Sequence, residues 1–185
     1  MSILNATTTS GVVLTGDTTG NLTIQSAGNT VCTITATGAN AGIQLASWAA
    51  PAFSAYQSSA QTLSNSTNTK LQFQTKEFDT ASAFDNATNY RFTPLVAGYY
   101  QVSGGFQIAT AATGGSIAIY KNGSGFKSGA GNPNAATSNQ WQVSALVYLN
   151  GSTDYVELYG YVSLGQALVA NAQYTYFQAA MVRSA

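Results

Sequence analysis

The sequence predicts an all-β chain, an antiparallel sandwich or barrel. Three observations predict it. Residues 99–108 alternate strictly: Tyr100, Val102, Gly104, Phe106 and Ile108 face one way, and Tyr99, Gln101, Ser103, Gly105 and Gln107 the other. That period of two marks a strand with one side on a core. Runs with the same period recur along the chain, separated by turn residues at regular intervals, as in sandwiches and barrels. No window of comparable length shows helical periodicity with caps.

Residues 1–47 differ from the rest. They contain no aromatic side chain, and their only charge is Asp17. Glycines punctuate short alternating runs after Gly11, Gly20 and Gly28, with a further break at Gly38, and Gly20-Asn21 and Gly28-Asn29 read as a weak repeat of one turn-plus-strand unit. Threonine and valine suit strands, and Gly-Asn pairs suit tight turns. The segment is too short and too thinly apolar to bury a core alone. It is expected to intertwine with copies of itself or to lie on a partner surface; a flexible polar tail is the alternative.

The first bulky side chains, Trp48, Phe53 and Tyr56, open the second part, residues 48–185. A short strand is expected at 52–57 and a polar loop at 58–69. Residues 70–79 alternate Leu71, Phe73 and Thr75 against Gln72, Gln74 and Lys76, and read as one strand. A turn-rich link carries Phe84, Tyr90 and Phe92. The strand through 99–108 begins after Pro94, which cannot donate to a ladder. Gly104 and Gly105 at its centre predict a close approach by a neighbour. A strand at 116–121 ends in Asn122-Gly123, a strong hairpin signal. The glycines that follow predict a long loop over 123–138, of the kind that carries function or moves. Strands follow at 139–149, with Trp141, Val143, Ala145, Val147 and Leu149 on one face, and at 154–163, with Val156, Leu158, Gly160 and Val162 on one face. A last strand spans 174–183, with Phe177, Ala179 and Met181 together.

Composition narrows the function. Apolar residues make up 45% of the 185-residue chain, enough for one core and too many for plain disorder. Charged residues are only 6% and the net charge is zero, against about 25% charged in typical soluble domains. There is thus no electrostatic footprint for nucleic acid and little self-repulsion against assembly. No stretch approaches the roughly 20 apolar residues of a membrane helix. The N-terminus lacks a signal peptide's basic start and apolar run, so synthesis in the cytoplasm is expected. The single cysteine, Cys32, provides neither a disulfide framework nor a metal cluster and is expected to be a small buried side chain.

The groups that carry chemistry are sparse. There is no histidine, so the commonest general base and the serine triad are missing. Glu77 and Asp79 share a strand face. They read as a glycosidase-like pair, as part of a calcium site, or as a solvated strand edge; the last is preferred, since only Asp85 lies near them in sequence. The glycines of 123–131 lack the Gly-Lys-Ser/Thr end of a phosphate loop. No catalytic residue, metal site or cofactor is expected.

The faces pointing away from the core are unusual. They carry Tyr99 in the strand through 99–108, Tyr155, Tyr159 and Tyr161 in 154–163, and Tyr176 in the last strand, with few charges between them. Aromatics enriched where charge is depleted mark an interface core, so these five tyrosines are expected to seal a permanent self-association. An exposed ligand-binding patch is the alternative.

Phe73, Asp79, Phe84, Phe92 and Gly98-Tyr99-Tyr100 together resemble the signature of the globular head of complement's first component, within the tumour-necrosis-factor-like jelly rolls. Phe92 and Gly98-x-Tyr100 stand at the family's spacing. Val102 departs from its final aromatic, and the gap between Phe84 and Phe92 is one residue longer than the family's. The strand ending in Lys121-Asn122, the pair formed by 143–149 and Asp154-Tyr-Val156, and the closing run 177–181 are similar to later family elements. The resemblance covers about residues 50–185. It implies an antiparallel jelly roll that forms tight homotrimers around tyrosine-rich strands. Some complement-type heads hold calcium, but no residue here matches well enough to carry that over. Residues 1–47, with the low charge and the bias to small polar residues, look like the segments preceding such heads in bacteriophage fibre, spike and decoration proteins.

These readings combine into one expectation. The chain is a non-enzymatic virion protein, a homotrimeric jelly-roll knob (48–185) held to capsid or tail proteins by residues 1–47. The capsid exterior is preferred, because the chain starts with its own Met and shows no long shaft. The alternative is a tail-fibre tip that recognises host surface glycan through the 123–138 loop, with Lys127, Asn132 and Asn134 as candidate contacts. Neither nucleic acid nor membrane insertion is expected.

Overall fold

The computed structural model describes residues 21–26, 29–35, 43–45, 50–108, 110, 114–131 and 139–185. The chain divides into two compact units, Met1–Trp48 and Ala49–Ala185. In the first, β1 (Asn21–Ser26), β2 (Asn29–Thr35) and β3 (Ile43–Leu45) form an antiparallel sheet in that order. Ile24 pairs with Cys32 and Cys32 with Leu45. The side chains of this sheet, and with them the expected burial of Cys32, lie outside the described residues. So do the run after Gly11 and the glycines Gly20, Gly28 and Gly38.

The second unit is all β among its described residues. Its strands are β4 (Ala52–Tyr56), β5 (Thr62–Leu63), β6 (Thr69–Lys70), β7 (Thr75–Asp79), β8 (Phe84–Asp85), β9 (Arg91–Phe92), β10 (Ala97–Ile108), β11 (Gly115–Lys121), β12 (Ser124–Gly131), β13 (Asn139–Asn150), β14 (Val156–Val162), β15 (Gln166–Ala167) and β16 (Tyr176–Ser184). The hydrogen-bonded order is β7-β4-β16-β10-β13-β12-β11-β14-β9-β8, with β6 beside β14 and β15 paired to β5. The order folds over at β12, which meets β13 through only Ala130↔Gln142 and Gly131↔Trp141. Two sheets result, β7-β4-β16-β10-β13 and β12-β11-β14-β9-β8, facing each other across one core. We call them the β10 sheet and the β14 sheet.

β10 organises the first of these. It pairs with β13 over its whole length and with β16 over most of it. Its expected inward set, Tyr100, Val102, Gly104, Phe106 and Ile108, is buried. The glycines do what their position predicts. A Cβ on Gly104 would lie 2.2 Å from Leu158 Cδ1 of β14 and 2.7 Å from the Tyr176 carbonyl. Gly104 therefore lets the two sheets approach where a side chain would part them. The core is aromatic at one end, where Phe53 stacks on Phe84 at 4.5 Å and on Phe92 at 4.6 Å. Further along, Phe106 stacks on Trp141 at 5.0 Å. Full burial of each such side chain is worth about 1.5–3 kcal/mol.

Two expectations need correction. Residues 70–79 are not one strand: Lys70 pairs with Tyr159 of β14, whereas Thr75 pairs with Tyr56 of β4. The chain crosses from one sheet to the other in between. Leu71 and Phe73 are buried as the alternation predicts, because the crossing segment also turns one side to the core. The stretch 123–138 is not one long loop. Asn122 (φ 52°) and Gly123 (φ 78°) form the tight turn their sequence predicts, and the chain returns at once as β12, with Lys127 opposite Ile119. Glycine-rich strands lack the side-chain alternation that would reveal them.

Candidate functional site

The candidate sites are the two outward faces of the sandwich, and the pairing register fixes which residues share each. On the β10 sheet, Tyr99 lies between Tyr148 of β13 and Arg183 of β16, and Gln101 lies between Leu146 and Ala180. The Tyr99 and Tyr148 rings sit 5.5 Å apart. This end of the face is apolar and open: Tyr99 and Tyr148 are each 42% exposed, Leu146 54% and Val182 59%. A groove there is floored by these four side chains with Arg183, Ser184 and Ala185.

The middle of the same face is a polar ladder. Gln101 Nε2 donates to Ser144 Oγ at 2.7 Å, Gln178 Nε2 to Ser103 Oγ at 3.1 Å, and Ser54 Oγ to Glu77 Oε2 at 2.6 Å. Tyr176 closes the far end beside Gly105 and Tyr56.

The β14 sheet presents a second tyrosine face. Tyr159 stacks on Tyr120 with centroids 4.0 Å apart and planes 23° from parallel. Glu157 lies buried beside them and is ion-paired with Lys70. Burial, and next the Glu157 charge, push the Tyr159 hydroxyl above its ordinary pKa. Tyr155 carries the Arg91 guanidinium 4.4 Å above its ring. Tyr161 lies further along the same strand, opposite Ser116.

The structure thus brings Tyr99 and Tyr176 onto one face and Tyr155, Tyr159 and Tyr161 onto the other. Sequence reasoning missed Leu146 and Tyr148, although the alternation of β13 that puts Val147 and Leu149 inside puts these two outside. Lys127 stands on the exposed hairpin strand β12, with its ammonium 5.5 Å from the Phe126 ring. Asn132 and Asn134 lie outside the described residues.

The described carboxylates bond within the scaffold. Asp79 accepts from the Ala83 and Phe84 amides at 3.0 Å each and from Lys76 at 3.1 Å. Burial works to raise its pKa, but these bonds outweigh burial and hold it below the ordinary carboxylate value. Asp85 accepts from the amides of Ala87, Thr88 and Asn89. Asp154 accepts from the Asn122 side chain at 2.8 Å and pairs with Lys121 at 2.9 Å. Glu77 and Asp79 are therefore bonded to different partners and do not converge on a shared ligand position. Among the described residues no group of three or more His, Cys, Asp or Glu side chains is placed to hold a metal ion.

Comparison with known proteins places the fold. No protein-family model and no curated protein matches the chain. Solved structures do. Murine APRIL matches with a TM-score of 0.57 at 8% identity, covering 72% of this chain and 99% of that one. The globular domain of zebrafish complement 1qA matches with a TM-score of 0.54 at 16% identity, over 73% of this chain and 99% of that one. The Eiger TNF of S. frugiperda matches with a TM-score of 0.57 at 10% identity, over 74% and 93%. The fold is therefore the tumour-necrosis-factor-like jelly roll.

Proposed function

We propose that the chain is a non-enzymatic structural protein of a bacteriophage virion, a homotrimeric knob carried on the capsid surface by residues 1–47. The observation that carries the self-association is the open apolar end of the β10 sheet. Tyr99, Leu146, Tyr148 and Val182 stand half-exposed there, and Arg183 is the only charged side chain among them. Covering what remains exposed of each is worth roughly 1 kcal/mol. Three copies about one axis would multiply that to the order of 10 kcal/mol before the entropy of association is subtracted. The polar ladder beside the apolar end supplies groups that fix register between copies. The resemblance set out from the sequence implies the same three-fold arrangement.

The virion assignment draws on composition and layout. A chain with 6% charged residues has little to keep its copies apart, which suits permanent assembly. The separate sheet β1–β3 precedes the knob, and its strands are short and carry no charged residue. The described carboxylates are occupied by turns, ion pairs and, for Glu77, the Ser54 hydroxyl, which favours a scaffold over a catalyst. Light scattering of the purified chain at micromolar concentration tests the first part, with three times the chain mass expected; a monomer would end this reading. A reporter fused to residues 1–47 tests the second. It is expected to decorate capsids lacking the protein, and failure to bind them argues against attachment by this segment.

A further inference from the structure

We infer that the outward face of the β14 sheet is a binding track for a linear polysaccharide of pyranose sugars. The inference does not rest on the trimer, since the face lies on the opposite side of the sandwich from Tyr99 and Tyr148.

Four features of the face point to this ligand. Tyr159 and Tyr161 lie two residues apart on β14 and Tyr155 immediately precedes that strand, so the three form a row about 20 Å long at roughly 3.3 Å per residue. A row suits a chain of sugars better than a single ring. The tyrosines are half-buried and held in place: Tyr159 by its stack on Tyr120, and Tyr155 by Arg91. Rigid rings lose little freedom when a sugar ring rests on them, and tyrosine offers an apolar face with a polar tip. Gly125 stands across from Tyr120, and even a Cβ built there would only reach 3.9 Å from its ring. Gly125 therefore contributes no side chain over the Tyr120 ring. Hydrogen-bonding groups line the row. No carboxylate among the described residues pairs with Arg91, so its N–H groups remain for sugar hydroxyls or a sugar carboxylate. Lys70 and Glu157 neutralise one another beside Tyr159, so the row is polar without a strong net field.

Affinity electrophoresis of the full chain through gels containing xylan, dextran or alginate tests the inference. Retardation is expected in at least one gel, with binding weakened roughly tenfold, equivalent to about 1.4 kcal/mol, by Tyr159→Ala. Tyr155→Ala and Tyr161→Ala stand outside the Tyr120 stack and keep the test open if Tyr159→Ala does not fold. Retardation by alginate alone, abolished by Arg91→Gln, would assign the track to carboxylated sugars. Retardation by xylan or dextran that survives Arg91→Gln would assign it to neutral ones. No retardation in any of the three gels, or retardation unchanged in all three tyrosine variants, overturns the inference. Light scattering on the same samples reports the oligomer separately, so the two readings fail independently.

Discussion

At the scale of single residues, the sandwich depends on positions where a side chain is missing or sealed. Gly104 is the clearest. Its added methyl would meet Leu158 Cδ1, which can turn aside, and the Tyr176 carbonyl, which belongs to the neighbouring strand and cannot. Gly104→Ala is therefore expected to destabilise the fold by about 1–3 kcal/mol, read as a lower urea midpoint; an unchanged midpoint would contradict the close approach. Tyr100 illustrates sealing. Its ring is fully buried, and its hydroxyl donates to the Val96 carbonyl at 2.7 Å. Burial pushes its pKa up to about 12. The unfolded chain has an ordinary tyrosine there, near 10, and so releases the proton first as pH rises. The stabilisation is complete below about pH 10 and is lost progressively toward about pH 12. Tyr100→Phe should flatten this alkaline limb and lower stability at neutral pH by roughly 1 kcal/mol, as measured by denaturant titrations at both pH values.

At the scale of elements, three of the chain's carboxylates hold turns and links together. Asp85 holds the turn after β8, where the Thr88 and Ala87 amides lead in drawing its pKa well below the usual carboxylate range. Asp154 holds the turn before β14 and is lowered first by the Asn122 side chain and then by Lys121. Asp79, also lowered, holds the link from β7 to β8. A carboxyl whose folded pKa is depressed stabilises above its unfolded value, near 4, and that contribution disappears as pH falls below it. The urea midpoint is accordingly expected to hold between pH 7 and about pH 5 and to decline on further acidification. Asp85→Asn should shrink the decline, and a variant with the parent's full acid dependence would show that this turn contributes none of it.

At the scale of the whole molecule, the sandwich has two tyrosine-bearing outward faces that differ in kind. The β10 face is apolar at one end, with exposed aliphatic side chains. The β14 face holds its rings in stacks beside ion pairs. The first is suited to a copy of itself, the second to a hydroxyl-rich ligand. Replacing both Leu146 and Tyr148 with Glu places two charges on each copy at the proposed seam. That variant is expected to scatter light as a monomer while keeping its circular-dichroism spectrum, and a trimer of undiminished stability would move the seam elsewhere.

Alternation and turn chemistry were enough to determine most of the strands, their inward residues and the Asn122-Gly123 turn, because a strand's period of two and a turn's positive φ are local properties. The jelly-roll resemblance was legible for a similar reason, since Phe92, Gly98 and Tyr100 stand at the family's spacing. Tertiary structure alone decided which sheet each strand joins. Alternation gives each strand an outward side but not the sheet it belongs to, so Tyr99 and Tyr159 looked alike and lie on opposite faces. It also decided that residues 71–74 pass from one sheet to the other instead of continuing one strand, and that the glycines of β12 form a strand. Hydrogen-bond partners far apart in the chain fix the sheet each strand joins and the crossing at 71–74; β12 pairs with the neighbouring β11, but its glycines leave no side-chain alternation to reveal it.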